Sequence, residues 1–95
     1  ADDFVRIYRM ADGKLLHELS GMSAGVFAVT FSPDGKRLAT SSDVGVIRFW
    51  EVESGRQVLA FTAGKKQITQ LKFTSDGKML ISVDVEGKIS FWETE

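Results

Sequence analysis

The sequence predicts an all-β fold assembled from repeated units of four short antiparallel strands. Three observations lead there: an internal repeat at an offset of 42 residues, short runs rich in β-branched and aromatic side chains, and turn-forming dipeptides between those runs. Phe31-Ser-Pro-Asp-Gly-Lys-Arg-Leu recurs as Phe73-Thr-Ser-Asp-Gly-Lys-Met-Leu, and Ile47-Arg-Phe-Trp50 recurs as Ile89-Ser-Phe-Trp92. Residues 31–50 and 73–92 are identical at nine of twenty positions, which chance does not produce in register with the turns. One period earlier, Val5-Arg-Ile-Tyr8 falls on Ile47-Arg-Phe-Trp50. Six of the nine glycines pair at the same spacing: Gly13 with Gly55, Gly35 with Gly77, Gly45 with Gly87.

The elements follow in order. A partial unit leads, with a third-type strand (c) at Phe4–Arg9 and a fourth (d) at Lys14–Ser20. The first whole unit reads a at Val26–Phe31, b at Arg37–Ser42, c at Val46–Glu51 and d at Arg56–Thr62. The second supplies a at Ile68–Phe73, b at Lys78–Val83 and c at Lys88–Glu93. Alternation is plain in Val46-Ile-Arg-Phe-Trp and Ile68-Thr-Gln-Leu-Lys-Phe, the period of a half-buried strand. Pro33-Asp34-Gly35 places Pro where a φ near −65° suits a turn and Gly where φ is positive. Asp12-Gly13, Ser54-Gly55 and Asp76-Gly77 serve their own hairpins. No segment carries a helical period. The expected units are 1–22 (outer strands c and d only), 23–64 (a to d) and 65–95 (lacking d).

Composition narrows the chemistry. Hydrophobic residues at 43% and charged residues at 26% suit a packed soluble domain and exclude a disordered chain. A net charge of −1 supplies no basic field for nucleic acid, and no apolar run approaches the ~20 residues that cross a bilayer. With no cysteine and a single histidine, His17, the chain has no disulfide, thiolate nucleophile or two-His metal site. Asn is absent, so there is no glycosylation acceptor. No cofactor is expected, and the compartment stays open.

The repeat resembles the WD-repeat β-propeller family, whose blades are four-stranded sheets around a central channel. The residues that carry the resemblance are Phe31-Ser-Pro-Asp-Gly-Lys36, Leu38-Ala-Thr-Ser-Ser42 and Val46-Ile-Arg-Phe-Trp50-Glu51. In the second copy they are Phe73, Asp76-Gly77-Lys78 and Ile89-Ser-Phe-Trp92-Glu93. The resemblance implies that Thr40 with Trp50, Ser82 with Trp92, and the turn residues Gly35 and Gly77 hold the blades together. The chain also departs from the family pattern. The Gly-His before strand a becomes Gly21-Met22 and Ala63-Gly64, and the Asp six positions before the Trp becomes Val44 and Glu86. Glu replaces Asp in both Trp-Asp dipeptides. Where both polar partners become apolar, as Met22 and Val44 do, a contact between them replaces the polar bridge at low cost. Glu86, without its His, is expected to point to solvent near Lys65 or Lys66. Asp2 falls on the Asp position of the leading unit, with Tyr8 in the Trp position.

A propeller of this family has roughly four to eight blades, and this chain reads as about two. Two blade faces and two sheet edges are then left bare. At about 25 cal/mol per Å², a ~400 Å² apolar face represents roughly 10 kcal/mol of gross driving force for association. Two solutions are open: the chain is a fragment of a longer propeller, or its copies assemble into a ring. In such a ring, strand d at 14–20 of one copy completes the unit at 68–93 of the next, and strand c at 4–9 competes with strand c at 88–93.

No reading of the candidate chemistry favours an enzyme. His17 lies in Lys14-Leu-Leu-His-Glu-Leu and reads as a solvated outer-strand residue, with no Gly-x-Ser-x-Gly elbow to serve. Asp2-Asp3, Glu51/Glu53 and Asp84/Glu86 are carboxylate pairs at turns or near a terminus, read as solvated charges. Lys65-Lys66 reads as a solvated loop without an aromatic platform, and Trp50, Trp92 and Tyr8 read as core. The expected function is a non-enzymatic protein-interaction scaffold. Its partners are copies of itself, the remaining blades of a parent propeller, or peptide and protein ligands; nucleic acid and membrane are not expected. The rival readings are a purely structural self-assembling module and an accessory propeller domain cut from a multidomain enzyme. The resemblance to the family implies that the interaction surface lies at the d–a and b–c loops, here Ser20–Gly25, Asp43–Gly45, Ala63–Gln67 and Asp84–Gly87, with Met22, Val44, Lys65, Lys66 and Glu86 on it.

Overall fold

The computed structural model describes residues 3–9, 11–22, 26–42 and 45–94. Nine strands form three antiparallel sheets. Sheet 1 is β1 (Asp3–Arg9) and β2 (Lys14–Met22). Sheet 2 is β3 (Val26–Phe31), β4 (Arg37–Ser42), β5 (Val46–Glu51) and β6 (Arg56–Thr62), in that spatial order. Sheet 3 is β7 (Ile68–Phe73), β8 (Met79–Asp84) and β9 (Ile89–Glu93). The described residues contain no helix.

Two strands start one residue later than their sequence pattern, and the cause is side-chain competition for backbone N–H groups. The Lys78 N–H donates to Asp76 Oδ1 at 3.0 Å and the Lys88 N–H to Asp84 Oδ1 at 2.9 Å, so both lysines belong to turns. Asp84 in turn joins β8, opposite Ile68. β1 begins at Asp3, and β2 runs on to Met22 because Asp3 stands opposite it.

The turn after β3 shows how the repeat is punctuated. The Gly35 N–H donates to Ser32 O at 2.9 Å, with Pro33 at the first central position and Gly35 at φ 73°. The Ser32 hydroxyl donates to Asp34 Oδ1 at 2.6 Å, and that carboxylate also accepts the Lys36 N–H at 2.9 Å. Thr74, Asp76, Gly77 and Lys78 repeat this arrangement, with 2.6 Å from the Thr74 hydroxyl to Asp76 and Gly77 at φ 73°. In each turn the hydroxyl first, then the backbone N–H, holds the Asp carboxyl below its ordinary value.

The core lies between the sheets. Cross-strand register puts Leu38 opposite Trp50 on one face of sheet 2, and Ala39 opposite Phe49 on the other. The first face packs on Ile7 and Leu19 of sheet 1. The second packs on Ile68, Phe73 and Leu80 of sheet 3, with Phe61 and Trp92 beside them at 5.0 Å between ring centroids. Alternation along each strand therefore feeds two cores, one per neighbour. Between sheets 2 and 3, the buried Ser41 hydroxyl donates to Ile68 O at 3.1 Å, and Arg37 Nη1 to Thr94 O at 2.9 Å.

Among the described residues, nothing covers the outer faces of the two terminal sheets in this way. Ala39, Ile47 and Phe49 of sheet 2 are 0%, 0% and 5% exposed. One period later, Ile89 and Phe91 are 60% and 59% exposed. Tyr8, one period before the buried Trp50, is likewise exposed.

Candidate interaction surface

One end of the stacked sheets gathers the loops between β4 and β5, between β6 and β7, and between β8 and β9. Their backbones lock together: the Ala63 N–H donates to Gly45 O at 2.7 Å and the Val85 N–H to Gln67 O at 3.0 Å. Gly45 is required by space as well as by its φ of 77°, since a Cβ there would stand 2.1 Å from Gly64 O. Asp84 Oδ1 accepts the N–H groups of Glu86 and Lys88, both at 2.9 Å, and thereby shapes the loop before β9.

This rigid frame presents Lys65, Lys66, Val85 and Glu86 to solvent. Lys66 Nζ lies 3.8 Å from Glu86 Oε2, a loose exposed pair of small energetic weight. Glu86 therefore stands at Lys66, where the sequence had left Lys65 or Lys66 open. The expected Met22–Val44 contact and Asp2 lie outside the described residues, although the backbone of Met22 ends β2. Val85, 53% exposed, adds an apolar side chain to the surface that pattern reading had not singled out.

The Trp positions sit inside the sheets. Trp50 Nε1 donates to Thr40 Oγ1 at 3.0 Å in a buried pair, and Trp92 Nε1 donates to Ser82 Oγ at 2.9 Å in a half-buried one. Each bond ties strand c to strand b and satisfies an indole N–H that would otherwise be stranded in the core. Among the described residues, no buried side-chain nitrogen or oxygen lacks a partner.

His17 corrects an expectation. It is not a solvated outer residue: it is half-buried, and its Nε2 lies 2.8 Å from Glu53 O in the turn after β5. Its ring occupies the space that a side chain at Gly55 would need. The cause is non-local. His17 and Leu19 point from β2 toward sheet 2, and the neighbouring sheet supplies the acceptor. Among the described residues, no group of His, Cys, Asp and Glu could hold a metal ion. No helix of the described residues is long and apolar enough to cross a membrane.

Sheets of up to four antiparallel strands, stacked face to face and linked by short loops, are blades of a β-propeller. The family profile described as the anaphase-promoting complex subunit 4 WD40 domain matches residues 1–76, and the chain belongs to the WD-repeat family. Angio-associated migratory cell protein of Homo sapiens is 35% identical over 63 residues, covering 66% of this chain and 14% of that protein. An uncharacterized WD repeat-containing protein of Nostoc sp. is 50% identical over 34 residues, 36% of this chain and 2% of its own length. Apoptotic protease-activating factor 1 of Rattus norvegicus is 41% identical over 56 residues, 59% of this chain and 4% of its own length. The chain thus spans a small part of the curated relatives it matches. Members of the family are generally non-enzymatic and mediate protein–protein interactions.

Proposed function

We propose that this chain is a non-enzymatic interaction module, a portion of a propeller that completes a ring with copies of itself or with further blades. Its loop end, with Lys65, Lys66, Val85 and Glu86, is the surface offered to peptide or protein ligands. One observation carries the reading. The face of sheet 2 that bears Ile47 and Phe49 is covered by sheet 3, whereas the same repeat positions on sheet 3, Ile89 and Phe91, are bare. A sheet with apolar side chains on both faces is stable only between two neighbours. In this chain, sheet 3 has one.

The test is the solution mass of the 95-residue chain by light scattering, beside a Phe91→Glu variant. Association of the parent chain, lost in the variant with its circular dichroism spectrum preserved, supports the proposal. A parent chain that stays at 10.5 kDa at every concentration overturns self-completion.

A further inference from the structure

We draw no further inference here: the strongest candidate, the cavity of about 260 Å³ between the β3–β4 and β7–β8 turns lined by Asp34 and Asp76, rests on two carboxylates already engaged by the hydroxyl and N–H groups of their own turns, and nothing else in the structure points to a ligand there.

Discussion

Replacing Phe49 and Phe91 by alanine, separately, asks what stabilises these sheets. The two residues occupy the same position in successive repeats, on strands β5 and β9 of near-identical sequence. Phe49 is 5% exposed, with the rings of Phe61 and Phe73 at 6.1 and 6.2 Å, whereas Phe91 is 59% exposed. Removing a buried Phe costs about 3–5 kcal/mol, transfer and cavity together. Full burial of such a side chain is worth roughly 1.5–3 kcal/mol, so the two-fifths of Phe91 that is covered is worth about 1 kcal/mol and leaves no cavity. The expected difference is thus about 3 kcal/mol. At a urea m-value of ~1.5 kcal/mol/M it separates the two midpoints by about 2 M. Urea unfolding at low micromolar protein, where association is weakest, is the assay. Equal losses for the two variants would refute the view that inter-sheet burial, and not strand propensity, holds the repeat together.

Other outcomes follow from the same contacts. Thr40→Val strands the buried Trp50 N–H and is expected to cost ~1–3 kcal/mol. Thr40→Ser keeps the hydroxyl acceptor and loses one buried methyl group, about 1 kcal/mol, and Ser82→Ala beside the half-buried Trp92 costs less than Thr40→Val; urea midpoints read all three. Gly45→Ala sets a methyl group against Gly64 O at a positive φ and is expected to lower stability by more than ~2 kcal/mol, seen as a fall in melting temperature. Asp34 and Asp76 titrate below 3.8 when folded and return toward that value on unfolding. Their contribution is therefore complete above the unfolded value and is lost as pH falls through the folded one. The double variant Asp34→Asn/Asp76→Asn is expected to show a shallower fall of melting temperature than the parent as pH drops through and below the ordinary carboxylate range. An unchanged acid limb would discount both turns.

Strand positions were legible because they are local. Each of the nine strands lies within two residues of its sequence pattern, and the late starts of β8 and β9 trace to Asp76 and Asp84 capturing an N–H. The partners that join one sheet to the next were not legible. The His17 contact with Glu53 O spans 36 positions, the Arg37 bond to Thr94 O spans 57, and the Ser41 bond to Ile68 O spans 27. Nothing in the period of a single strand announces an acceptor on another sheet. The repeat offset does say which face of a strand seeks a neighbour, as it does for Phe49 and Phe91. Glu86 stood out as a departure from the family pattern, and Lys65-Lys66 as a pair of like charges in a loop. Val85 was passed over because one apolar residue in a loop carries no pattern.

Each of these sheets becomes stable by lying against another like itself. The most direct measurement is the urea midpoint as a function of protein concentration. Burial of the bare faces of sheets 1 and 3 by further copies predicts a midpoint that rises with concentration, by mass action. A midpoint constant across a hundredfold range, with the chain folded and monomeric throughout, would contradict it.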